Sequence, residues 1–299
     1  MTATDEQKTG LNGTKRENRD KHLQDLKKFS IILHSHGRNI GPKLFHHLAM
    51  HASRRQHKHM IRLKPLPDDV AVLDQSHVFS GARLILAYVA EHGAIPLTPS
   101  KAFKRVFVNW AAEAFVWPYW TVADLYSVNK VLNEYDFGPL EVLHHLLIDL
   151  KLGRHYKGTF RLTKVGQGLV EKPKDLFEIL VPIFLFNVNH GYCSRFEHEP
   201  FREWDAGLNV LNIEAENGVS LGEFCVALYG PVTRDWEQQR HAESEIYTGI
   251  LRPLCWAGLL EEHRSRGAGL AANTYQKSAL WPLLFALQTD GRVLPAVRH

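Results

Sequence analysis

The chain has 299 residues, 44% of them hydrophobic and 23% charged, with a net charge of +4, an ordinary globular composition long enough for two modest domains. No apolar run reaches the ~18 residues that span a bilayer, and residues 1–22 lack the apolar core of a signal peptide, so a cytoplasmic protein is expected. Cys193, Cys225 and Cys255 are odd in number and lack C-x-x-C spacing, which argues against a disulfide framework or a cysteine zinc site.

Charge is uneven along the chain. Residues 1–70 carry 14 Lys and Arg against seven Asp and Glu, while the remainder is slightly acidic. Residues 1–22 are polar and read as a disordered tail. Residues 23–77 read as a basic, histidine-rich arm and linker. In it residues 42–60 are predicted helical through Leu44, Phe45, Leu48 and Met60, and "LKPLPDDVAVLD" is predicted extended because two prolines break a helix.

From residue 78 the pattern sharpens. Ser80 is predicted to cap a helix that ends at Gly93, with Leu84, Ile85, Tyr88 and Val89 inward. "AIPLT" is a short extended segment. Thr98 is predicted to cap a second helix, with Pro99 at its first position and Phe103, Val106, Phe107, Trp110 and Ala114 as its buried stripe. Lys101, Arg105, Asn109 and Glu113 recur on its polar face. "TVAD" at 121–124 fits a capping box for a third helix running to about Tyr135. Pro139 opens a fourth, stopped by Gly153. A hairpin follows, turning at Lys157-Gly158, with Tyr156, Phe160 and Leu162 as its apolar partners and Thr159, Arg161 and Thr163 outward.

"KDLFEILVPIFLFNV" is strongly apolar and reads as a core or bridging helix. The segment 197–223 holds seven acids and one arginine, Arg202. Ser220 and Gly230 bound another helix, and "DWEQQRHAESEIYTGILRPLCWAGLL" holds one or two more. "EEHRSRGAGLAANTYQKS" reads as a second hairpin and "ALWPLLFAL" as a closing helix. In both places a leucine-rich helix runs into a charged hairpin, then an aromatic, then a Thr or Ser. This predicts a mainly α protein with small β-hairpins: two winged-helix-like modules, over 78–190 and 191–299, joined by a helical bridge.

"GAIPLTPSKAF", "PLEVLHHLLIDLKLGRHYKGTFRLTKVGQGLV" with "KPKDLF", and the similar "ILRPLCWAGLLEE" with "YQKSALW" carry a family resemblance. The chain resembles bacterial proteins of unknown function akin to the carboxyl-terminal region of the pRiA-type plasmid open-reading-frame family. The resemblance covers about residues 80–290. It implies winged-helix modules and brings no catalytic residues with it.

The residues that carry candidate chemistry are cations. Arg154, Lys157, Arg161 and Lys164, beside His155, form a hairpin run without an acid, suited to phosphate oxygens. Arg264 and Arg266 occupy the second hairpin. Lys101, Lys104 and Arg105 offer another basic surface. The helix before the first hairpin shows Glu141, His144, His145 and Asp149 as its polar positions, and the second equivalent is nearly all apolar with Pro253 inside. Neither suits base reading in a major groove.

His34, His36, His46, His47, His51, His57 and His59 crowd the arm. No Asp or Glu lies between Asp25 and Asp68 to orient them, so a basic surface is expected rather than a metal site. The Glu197–His198–Glu199 cluster reads as an exposed acidic loop. Trp110, Trp117, Trp120 and Trp204 read as core. The expected function is non-catalytic binding of nucleic acid, with duplex DNA favoured and a regulatory role in view. The alternatives are a protein-interaction scaffold and, more remotely, a metal-dependent enzyme using the arm. No cofactor is expected.

Overall fold

The computed structural model describes residues 61–67, 71–193, 201–231, 236–265 and 269–292. The tail over 1–22, the histidine-rich arm with its helix over 42–60, the Glu197–His198–Glu199 cluster and Arg266 lie outside the described residues. What is described is mainly helical, with small antiparallel sheets. No helix among the described residues is long and apolar enough to cross a membrane.

Helix α1 spans His77–His92. Its cap is Ser76, which accepts the Phe79 N–H at 3.3 Å, rather than Ser80. Val78 and Phe79 are already fully buried, so the helix has to begin before Ser80 to place them. Gly93 ends it at φ 79°, a left-handed turn that glycine takes without steric cost. Strand β2 (Ile95–Pro96) follows.

The next segment departs from the expected helix. Thr98 folds a turn instead, accepting the Ala102 N–H at 3.1 Å, and Lys101 sits at φ 66°. Helix α2 starts only at Arg105 and ends at Ala114. The late start rotates Val106 outward, to 80% exposure, while Phe107, Val108, Ala111 and Ala112 face in.

Thr121 and Asp124 close the expected capping box on helix α3 (Val122–Val128), which is shorter than predicted. A 3₁₀ turn over Glu134–Asp136 leads into helix α4 (Gly138–Asp149). Strands β3 (Gly153–Tyr156) and β4 (Thr159–Leu162) then form the hairpin. With β2 they make a sheet of order β2-β4-β3, so β3 is an edge. The turn residues Lys157 and Gly158 have φ 47° and 71°, the paired positive values of a tight hairpin turn. Helices α5 (Lys164–Leu169) and α6 (Pro173–Asn187) follow.

The second half repeats the plan. Helix α7 (Trp204–Glu214) precedes strand β5 (Val219–Ser220) and helix α8 (Leu221–Tyr229), the latter closed by a Ser220–Glu223 capping box. Helix α9 (Trp236–Ile246) passes through a π-helical turn, Tyr247–Leu251, into helix α10 (Arg252–Trp256). Strands β6 (Leu260–His263) and β7 (Thr274–Lys277) join β5 in the order β5-β7-β6.

The backbone hydrogen bonds match as well as the order. The Leu152 N–H donates to the Leu147 carbonyl and the Leu259 N–H to the Leu254 carbonyl, both at 2.9 Å. The Thr163 and Ser278 hydroxyls donate, each at 2.6 Å, to the Lys151 and Gly258 carbonyls.

The predicted closing helix is reduced to helix α11 (Trp281–Leu284). After it Phe285–Ala286 forms strand β8, paired with strand β1 (Arg62–Leu63). The segment expected as an extended linker is paired at Leu63 and turns as a 3₁₀ helix over Ala71–Gln75.

One apolar core runs through both halves. Helix α6 bridges them: Phe177 meets Phe79 edge-on at 5.4 Å, and Phe184 stacks on Trp256 at 6.4 Å. Trp117 meets Trp256 edge-on at 5.1 Å. Fully buried phenylalanines such as Phe79 and Phe177 each contribute about 3–5 kcal/mol against truncation to alanine.

Candidate functional site

The first hairpin is a cationic projection. Arg154, Lys157, Arg161 and Lys164 are all exposed, and among the described residues none of them meets an acid within ion-pair distance. Arg154 and Arg161 stand directly opposite each other across the ladder, an arrangement that opposes like charges.

Tyr156 lies on their face and not among the inward partners, with 44% of its surface exposed. Arg154 and Lys157 approach its ring centroid at 5.4 Å and Arg161 at 5.8 Å. Each contact of this kind contributes roughly 0.5–1 kcal/mol at an exposed site. Phe160 and Leu162 face the core as expected.

Behind the hairpin lies a buried polar chain that the sequence reading missed. The Glu134 carboxylate, 3% exposed, accepts the Phe103 N–H and a proton from His144 Nδ1, each at 2.5 Å. His144, also 3% exposed, is therefore not an outward polar residue of helix α4. Phe103 stacks on its ring at 3.8 Å. Its second nitrogen, Nε2, lies 2.8 Å from Nε2 of His155 on the edge strand.

Burial lowers His144 to about 3, against the pull of the adjacent carboxylate. Partial burial, then the charges of His144 and Lys101, lowers His155 to about 4. Lys101 thus sits close enough for its charge to act on this strand. Lys104 and Arg105 are exposed at the start of helix α2, and Arg105 Nε donates to Asn133 at 2.9 Å. A histidine five residues after the proline at a helix start looked like a surface residue. Its partners, ten residues before it and eleven after it, are visible only in the fold.

The second hairpin is built differently. Arg264 Nε lies 3.3 Å from Glu262, and its guanidinium sits 3.2 Å from the centroid of the Tyr119 ring. Glu262 also accepts from the Tyr275 hydroxyl at 3.2 Å and from Asn273 at 3.1 Å. Arg264 is thus engaged by contacts within the molecule, unlike the cations of the first hairpin.

Burial pushes Cys225 up to about 12 and raises Cys255 well above the ordinary thiol value. No group of three or more His, Cys, Asp or Glu among the described residues is arranged to hold a metal ion.

Two family models match the chain. One describes the Y4jL N-terminal domain, over residues 74–175, and the other the y4jL C-terminal domain, over residues 194–279. The protein of Sinorhizobium fredii (strain NBRC 101917 / NGR234) named "Uncharacterized protein y4jL" is 37% identical over 165 residues. That stretch is 55% of this chain and 75% of that protein. No solved structure matches. The two models fall on the two similarly built halves, and the chain belongs to the y4jL family.

Proposed function

We propose that the protein binds nucleic acid without catalysis, through winged-helix-like halves of which the first makes the phosphate contacts. The observation that carries this reading is the first hairpin: four exposed cations with no acidic partner among the described residues, two of them arginines set face to face. A hairpin that only closed a fold would gain from one acid there.

Backbone choices point the same way. Lys101, Lys151 and Lys157 occupy positive φ (66°, 57° and 47°), a region that costs a side chain about 1–2 kcal/mol. Glycine takes such positions freely, and Gly258 does so where the second half matches Lys151. Lysine at these turns keeps charge at the expense of stability. Arg154, Lys157, Arg161 and Lys164, with Lys101, Lys104 and Arg105 alongside, form the binding surface. Arg264 is left out of it.

The test is fluorescence anisotropy on labelled duplexes over a range of salt. The dissociation constant should rise with a log–log slope of roughly 0.9 per phosphate contacted, so four contacts lose about a hundredfold in affinity over a fourfold rise in salt. Joint reversal of Arg154, Lys157 and Arg161 to glutamate should abolish binding. Absence of low-salt binding, or binding that survives the reversal, refutes the reading.

A second reading, a protein-docking module, is favoured by one feature. Val106, Val128 and Tyr135 are exposed at 80%, 81% and 63% around helices α2 and α3. A stoichiometric protein partner, recovered with no retained nucleic acid, would favour it.

A further inference from the structure

We propose that Tyr156 is a stacking platform for an unpaired nucleobase, so that the first hairpin holds single-stranded nucleic acid through a ring as well as through charge. The inference rests on the nucleic-acid reading and names the form of the polymer.

Side chains alternate across a strand, and the ladder sorts those of this hairpin. Gly153, His155, Phe160 and Leu162 share the face that carries the buried Phe160 and Leu162. Arg154, Tyr156, Thr159 and Arg161 share the opposite face. The outer face thus presents one aromatic ring with two arginines beside it, and Lys157 follows at the turn. Tyr156 keeps 44% of its surface exposed, so packing on the core does not account for it.

The distances leave the ring open. On Tyr119 the Arg264 guanidinium stands 3.2 Å from the ring centre, which is direct contact and occupies that ring. Around Tyr156 the cationic groups stand 5.4, 5.4 and 5.8 Å from the centre, beyond the roughly 3.5–4.0 Å of carbon atoms in contact. They surround the ring without covering it.

A single strand supplies both parts of the fit. Its phosphates meet Arg154, Lys157 and Arg161, and each of its bases carries a π-face whatever the sequence. In a duplex those faces are covered by neighbouring pairs, and the grooves open only the base edges. Helix α4 stands before the hairpin, where a helix-turn-helix module keeps its groove-reading helix. Yet Gly138–Asp149 contains no Arg, Asn or Gln to pair with those edges. In the second hairpin the same register puts Glu261 in place of Arg154 and His263 in place of Tyr156. Tyrosine and cations therefore occur together on one half alone.

The experiment uses the full chain at one low salt concentration and four labelled probes of equal length. They are single-stranded DNA, RNA of the same sequence, a DNA strand with abasic sites in place of its bases, and duplex DNA. The abasic strand keeps the phosphates and offers no ring. The base-bearing strands should bind about five- to a hundredfold more tightly than the abasic one, the weight of one stacked base. Tyr156→Ala should erase that gain, Tyr156→Phe should keep it, and duplex affinity should stay within twofold in both variants. The DNA and RNA strands decide which polymer supplies the base, and a Tyr156-dependent gain on either supports the inference. Three results overturn it and leave the nucleic-acid reading standing: equal affinity for base-bearing and abasic strands, a gain that survives Tyr156→Ala, or a loss in Tyr156→Ala that is as large on the duplex. Failure of all four probes overturns both. Should Tyr156→Ala not fold, Tyr156→Thr, a residue suited to a strand, takes its place.

Discussion

The Glu134 carboxylate offers a quantitative handle on the first half. It is almost wholly buried, and both its oxygens accept from groups that are themselves out of water: the Phe103 N–H and the His144 ring. Glu134→Ala removes both acceptors and leaves two buried donors unpaired. Each such donor costs about 1–3 kcal/mol, so the substitution should cost about 2–6 kcal/mol.

Glu134→Gln keeps one carbonyl oxygen and turns the other acceptor into a donor, which then opposes either Phe103 or His144. Its cost should be about 1–3 kcal/mol, intermediate between wild type and alanine. His144→Phe combined with Glu134→Gln should cost less than the two single changes together, because the pair shares one interaction. Urea unfolding followed by tryptophan fluorescence measures all four proteins; Trp110, Trp117 and Trp120 lie in the affected half. Costs below about 0.5 kcal/mol for both Glu134 variants, the range of ordinary surface changes, would refute a buried and paired Glu134.

Acid should weaken the fold early. Burial holds His144 and His190 at about 3, far below the unfolded value of about 6.5, so the unfolded chain binds more protons than the folded one between those limits. Stability is therefore full above about pH 6.5 and falls as pH drops, by up to about 1.4 kcal/mol per unit for each of the two rings. A flat stability between pH 7 and pH 5 would contradict their burial as neutral rings. Gly153→Ala should destabilise by about 1–3 kcal/mol or more, since a methyl group there would run into the fully buried Phe160 ring. Differential scanning calorimetry reads the loss, and an unchanged melting temperature would mean that the hairpin is looser than described.

The local elements were legible because their determinants are contiguous. The Thr121–Asp124 box closes within four residues, and Ser220 caps its helix as read, its bond to Glu223 being equally local. The Lys157-Gly158 turn announces itself the same way. Three readings failed where a distant partner decides. The Thr98 turn replaced a helix start because Phe103 is tied to Glu134, 31 residues on, which pins the chain before helix α2 can begin. His144 turned inward because Glu134 and His155 wait for it there. "ALWPLLFAL" became a strand at Phe285 because Arg62 and Leu63 return from the far end of the described chain to pair with it. Periodicity records which residues are apolar. It does not record which polar residue satisfies a buried N–H.

The two halves separate what the frame requires from what has been added to it. In the first hairpin the ladder pairs Arg154 with Arg161 and His155 with Phe160. In the second, the same register pairs Glu261 with Gln276 and Glu262 with Tyr275. Since both ladders join the same strand order and both adjoining helices end on the same hydrogen bonds, the frame itself does not call for cations. Glu262, at the place of His155, binds Tyr275, Asn273 and Arg264, and Arg264 in turn lies under Tyr119 of the first half. The second hairpin thus spends its charge on holding the halves together. The first leaves its charge outward, at lysines where glycine would cost less. A surface that the frame does not need, kept at a cost in stability on one half alone, is where a partner has to be sought.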